Sequence, residues 1–317
     1  MSQIIDLRED QARQFIDAET VFLELLRIRR EAAEVRGSML WREIKGTEYL
    51  IRTSARGGQT SLGSKSAQTA TIFDSFMARK GMCERRLADL NAAAQVQQRL
   101  NKALRVGRVP DLVVRVLNAI DDLGLATHFT TVGTHALYAY ESAAGARFMP
   151  EAMATQDIDL LFDTRKRIGF VTQMRRLDTS FIGALRKADP TFRVKSDQLQ
   201  TAINASGFEV DVIRRVAREG DPHPLRLSDH EDDLWAVQID TGNKILSAQR
   251  FSQVVVSVTG RMAVMHTMHP LAFIQIKRQI ATRANRDPRK RHKDALQADL
   301  VEQLLHSHLP QHLPVAR

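Results

Sequence analysis

The sequence predicts an α+β fold, and three observations carry that prediction. Residues 131–163 read as strand, glycine turn, helix, loop and second strand. The segment Gly207–Ile213 alternates apolar and acidic residues as a half-buried strand does. Helix-forming blocks over about 66–106 and after residue 270 flank this strand-bearing region.

The elements follow in order. From about Leu7 to Arg36, Phe15, Val21, Phe22, Leu25 and Leu26 fall near one face of an amphipathic helix that Gly37 stops. Residues 39–66 then read as a hairpin or three-stranded meander turning at Lys45-Gly46 and at Gly57-Gly58. Within it, Gly58 to Ser66 lies one residue away from a phosphate-binding loop. Ser64 separates the last glycine from Lys65, so a turn leading into a helix N-cap is the better expectation. A long helix spans about 66–106, with Gly81 as a candidate bend or break. Pro110 opens the next helix, which runs to about Gly124. Beyond the second strand, Arg167–Asp189 is expected to be one helix, and residues 221–250 give no clear pattern. A hairpin over 252–268 turns at Thr259-Gly260, and helices over 270–284 and 288–306 close the chain. The expected domains are 1–108, 109–220 and 221–317.

Composition bounds the function. Of 317 residues, 43% are hydrophobic and 26% charged, and no apolar run approaches the roughly 20 residues that span a bilayer. The acidic start, MSQIIDLRED, does not read as a secretion signal. Cys83 is the only cysteine, which excludes an internal disulfide and implies a reducing, cytoplasmic setting. Lys plus Arg exceed Asp plus Glu by 46 to 37, so polyanions are plausible partners. Neither the acidic run Asp229–Asp233 nor the C-terminal histidines His306, His308 and His312 has convincing metal-ligand spacing. They read as a solvated patch and a frayed end.

Strand alternation puts Asp157 and Asp159 on one face, with Ile158 and Leu160 turned into a core. Paired carboxylates repel and call for a cation. Asp211 lies on the second strand with the same alternation. It shares that face with Glu209, and the flanking valines favour Asp211 as the third ligand. Gly133-Thr134 ends a strand and opens a helix, a place where backbone N–H groups and the helix dipole favour phosphate. Three carboxylates suit a site for two Mg²⁺ or Mn²⁺ ions about 3.5–4 Å apart, which clamps an in-line displacement at phosphorus. That chemistry is nucleotidyl transfer from a nucleoside triphosphate.

Val132-Gly133-Thr134, Asp157-Ile158-Asp159-Leu160 and Val210-Asp211-Val212 together resemble the polymerase-β-type nucleotidyltransferase superfamily, whose signature is Gly-Ser, an Asp-hydrophobic-Asp strand and a later lone Asp. The segment from Trp41 through Ile44-Lys45-Gly46, Glu48-Tyr49-Leu50 and Arg52, with Ser61-Leu62-Gly63, is similar to a bacterial nucleotidyltransferase family of unassigned substrate. The resemblance implies a mixed-sheet core between an N-terminal helical arm with a β-meander and a C-terminal hairpin plus helices. It also implies catalytic and metal-binding roles for Asp157, Asp159 and Asp211, and phosphate contacts from Gly133, Thr134, Lys277 and, more weakly, Lys293. Thr134 stands where the family has serine. The long interval from Gly133 to Asp157 implies an inserted loop near 145–154.

Eight basic residues against one acid between Lys277 and Lys293 make that segment a candidate contact for triphosphate or nucleic acid. The expected reaction moves a nucleoside monophosphate, most simply AMP from ATP, to an acceptor hydroxyl on RNA, a protein side chain or a small molecule. The rival expectation is an inactive relative that keeps the fold and binds nucleic acid or protein.

Overall fold

A computed structural model describes residues 4–314. The first three residues of the acidic start lie outside the described residues. The chain divides into two compact units, Arg13–Leu104 and a second one formed from Arg105 onward with the first residues through Ala12.

The elements begin with β1 (Ile4–Asp6) and α1 (Glu9–Glu34), followed by β2 (Ser38–Ile44), β3 (Thr47–Thr53), β4 (Gln59–Ser64) and α2 (Ala67–Ala103). The unit 13–104 is an antiparallel pair of long helices with a meander. Gln14 reaches Gln97 and Asn101, while Leu25 and Ile28 pack with Leu90. The hairpin β2–β3 turns at Lys45-Gly46, both at positive φ as a tight hairpin turn requires. The residues from Gln59 to Ser64 form the third strand, and Ser66 caps α2 by accepting from the Thr69 N–H, so no phosphate loop exists there. Gly81 leaves α2 unbroken: one glycine costs only about 1 kcal/mol in a helix, too little to split one of this length.

The other unit continues with α3 (Asp111–Asp122), β5 (Phe129–Val132), a 3-10 turn at Gly133–His135, α4 (Ala136–Ala144), β6 (Ala146–Phe148), α5 (Pro150–Met153) and β7 (Asp157–Phe162). Next come α6 (Arg167–Leu177), α7 (Phe181–Ala188), β8 (Arg193–Val194), β9 (Thr201–Ile203), β10 (Glu209–Arg215), β11 (Val237–Ile239) and α8 (Gly242–Ser247). The chain closes with β12 (Arg250–Val256), β13 (Met262–Met268), α9 (Pro270–Ala281) and α10 (Pro288–His308). A mixed sheet in the order β5-β7-β10-β9-β8, with β11 also on β10, is the frame. β7 and β10 run parallel, while β5, β9 and β8 are antiparallel to their neighbours.

Ile158, Leu160, Val210 and Val212 are fully buried on the apolar face, as alternation requires. β12 and β13 form the expected hairpin, and α9 packs on α10. Among the described residues no helix is long and apolar enough to cross a membrane.

Four local expectations need correction. Residues 167–189 are two helices, because Asp178 takes a left-handed conformation and Ser180 caps α7. The stretch 145–154 is not a bare loop: β6 pairs with β1, and α5 follows it. The acidic run is structural rather than solvated throughout, since buried Asp233 accepts from the Phe181 and Ile182 N–H groups at the start of α7. Two of the C-terminal histidines are packed rather than frayed: His312 meets Phe251 edge-on, and His308 contacts Asp6, while His306 is exposed on α10.

Candidate active site

The parallel register of β7 and β10 sets Asp159 opposite Asp211 and Asp157 opposite Glu209. All four therefore share the face opposite the core. Glu209 is tied to Lys195 at 3.0 Å. Asp157, Asp159 and Asp211 instead converge, with one ligand atom from each lying within 4.8 Å of the others. They form the only such group of metal-ligating side chains among the described residues.

Two of the three carboxylates have a hydroxyl donor: Thr155 donates to Asp157, and Thr201 on β9 donates to Asp211. No donor among the described residues reaches Asp159. Asp159 is half-buried and lines the pocket. Burial, and then the charges of Asp157 and Asp211, push its pKa up to about 7. Burial also raises Asp211, against the Thr201 hydrogen bond. A carboxylate that is half-buried, without donors and flanked by two more is a poor anion holder but a suitable cation ligand. The donor set is all oxygen, so the residues present fit a hard divalent ion.

Gly133 follows β5, whose last residue Val132 pairs with Asp159. Its φ is +66°, and a Cβ there would lie 2.3 Å from Asp159 Oδ2. Only glycine serves at this position, on conformation and on space. Thr134 follows in the 3-10 turn that leads into α4. Its Oγ1 accepts a hydrogen bond of 3.1 Å from Nε2 of Gln297 on α10. Next to it, His135 is buried and bonded to the backbone of Asp157, and burial lowers its pKa to about 4, so the imidazole is neutral at pH 7.

The opposite side of the pocket is basic. Lys277, Arg283, Arg286, Lys290 and Lys293 line it with Gly133, Thr134 and the three aspartates, around a volume of about 610 Å³. Lys277 is less available than its position implies: its ammonium sits 2.7 Å from buried Asp294, which also holds Arg286 at 2.7 Å. Lys293 donates to the Ala154 carbonyl at 2.6 Å, and burial followed by the charge of Lys277 lowers its pKa. Arg283 pairs with Asp240 at 3.0 Å. Lys290 is exposed and has no ion-pair partner among the described residues. A larger cavity of about 770 Å³ lies on a different face of α9, lined by Lys244, Gln275, Gln279 and His312, and contains no carboxylate.

Asp294, Gln297, Thr155, Thr201 and His135 were not singled out from the sequence. Thr155 stands two residues before Asp157, close enough to notice. Asp294 and Gln297 follow the basic run on one helix face, and nothing local marks them.

A family model described as "Nucleotidyltransferase" matches residues 111–316, about two thirds of the chain. No curated protein and no solved structure matches it.

Proposed function

The chain belongs to the nucleotidyltransferase family, and from that premise we propose that it transfers a nucleoside monophosphate, most simply AMP from ATP, to an acceptor hydroxyl with release of pyrophosphate. The observation that carries the proposal is the convergence of three carboxylates in a pocket that also contains Gly133-Thr134 and several cations. Asp157, Asp159 and Asp211 are the ligands for divalent metal, Mg²⁺ or Mn²⁺ in a two-ion site. Metal held there supplies charge that neutralises the phosphates and makes an attacking hydroxyl more acidic.

The remaining work falls to the chain itself. The turn at Gly133-Thr134 seats phosphate through backbone N–H groups and the Thr134 hydroxyl. Asp211, with its raised pKa, takes the proton of the attacking hydroxyl. Lys290 has no ion-pair partner among the described residues and is best placed to meet the triphosphate, with Lys277 and Lys293 supporting the field. The basic start of α10 favours a polyanionic acceptor such as RNA over a protein side chain or a small neutral molecule. Lone, buried Cys83 favours a reducing cytoplasmic setting.

The test is incubation with each α-labelled nucleoside triphosphate, Mg²⁺ or Mn²⁺ and a mixed acceptor pool. Wild type should release pyrophosphate and label an acceptor, while Asp157→Asn/Asp159→Asn should not. Equal release from both proteins would end the proposal.

A further inference from the structure

The contact between Gln297 and Thr134 fixes the direction of a hydroxyl proton. Gln297 is fully buried, and its Nε2 lies 2.7 Å from the Ala152 carbonyl and 3.1 Å from Thr134 Oγ1. A carbonyl oxygen can only accept, so the amide nitrogen must face Ala152 and the orientation of the amide is set by chemistry. The same nitrogen then donates to Thr134, making the Thr134 oxygen an acceptor. Its own proton has no acceptor among the described residues, and Thr134 lines the pocket. The other end of the amide is informative too. Gln297 Oε1 is buried with no partner among the described residues, a cost that a residue serving only to fill space would avoid.

We infer that Gln297 is a positioning residue that commits the Thr134 hydroxyl to donate into the pocket, toward a phosphoryl oxygen of the bound triphosphate. This rests on the proposed function and deepens it. A phosphate oxygen is an acceptor only, so it can take the one proton that the Thr134 hydroxyl has to give. Gln297 thus acts on the ligand through Thr134 and not by touching it.

A double-mutant cycle with a base-independent probe, magnesium tripolyphosphate, tests this by calorimetry on the full-length protein. Gln297→Met keeps length without a donor, and Thr134→Val keeps shape without a hydroxyl. Each single variant should weaken binding by about tenfold, the worth of a hydrogen bond to a charged group. The double variant should be no weaker than Thr134→Val alone. Should Gln297→Met fail to fold, Gln297→Leu replaces it, an uncharged side chain that again removes the donor, with about a tenfold loss expected.

Additive losses would mean that Gln297 acts through general packing and would overturn the inference, as would unchanged binding in both Gln297 variants. If Thr134→Val weakens binding while Gln297→Met does not, the inference fails and the proposed function stands. If wild type binds neither tripolyphosphate nor Mn²⁺, the proposed function fails and takes the inference with it.

Discussion

The two sides of the pocket carry opposite charge, yet they are neutralised in different ways. On the basic side, Asp294 sits between Lys277 and Arg286 and satisfies both from within the fold. On the acidic side, Asp157, Asp159 and Asp211 face one another with two hydroxyl donors and, among the described residues, no comparable cation at hydrogen-bond distance. Lys277 and Lys290 lower the pKa of Asp159 through space, but burial and the two neighbouring aspartates outweigh them. The difference separates a structural charge network from one left open. A buried ion pair completed internally fixes geometry. Three carboxylates without a counterion store repulsion that an incoming cation relieves.

The largest effect should come from removing a charge on the open side. Asp159→Asn is expected to lower pyrophosphate release by more than about 100-fold, since even residues behind a metal ligand cost 10–100-fold. The same change should stabilise the metal-free protein at pH 8 by about 2 kcal/mol, discounted for screening from the full shift. Denaturant melts in EDTA check that opposite sign.

On the closed side, Asp294→Ala should be destabilising by about 3–5 kcal/mol, because Lys277 would be left buried without its ion pair and half-buried Arg286 would lose the same partner. A comparable stability for Asp294→Ala and wild type in urea would erase the distinction between the two sides. Gly133→Ala, which must displace the Asp159 carboxylate and hold φ at +66°, should cost about 1–3 kcal/mol in the same assay.

The pH dependence sharpens the comparison. The pKa of Asp159 is near 7 in the folded protein and near 3.8 when unfolded, so the native state binds the extra proton between those values. Its contribution to the stability of the metal-free protein is therefore fully present below about pH 4 and is lost as pH rises through about 7. Saturating Mn²⁺ should flatten that decline, which melting curves across pH with and without the ion would show. The smallest effect is expected from Lys290→Ala: a rise in KM for triphosphate of about two- to fivefold, consistent with one exposed charge.

What the sequence showed and what it hid divide along the same physical lines. The α+β class and mixed sheet were readable because period-two alternation is local: Ile158 and Leu160, then Val210 and Val212, announce two buried faces, and the acids fall on the other side by parity. The same parity could not separate Glu209 from Asp211; Lys195 does that, fourteen residues before Glu209. The break at Asp178 was hidden because a non-glycine residue takes the left-handed conformation there. β1 and β6 are three residues each, too short to show a period, and they pair across more than 140 residues. Gln297 meets Thr134 across 163 residues, and a glutamine on an amphipathic helix carries no local mark of that contact. Lys277 lines the cavity that holds the three aspartates, but its partnership with Asp294 depends on how α9 packs against α10.

The open acidic side is tested most directly by titrating Mn²⁺ into the protein at pH 8 and following the free ion by electron paramagnetic resonance. Wild type should remove Mn²⁺ from solution saturably, and Asp159→Asn should bind at least about tenfold more weakly. Wild type that leaves all the Mn²⁺ free, or binds it no better than Asp159→Asn, would contradict the assignment of these carboxylates to a metal.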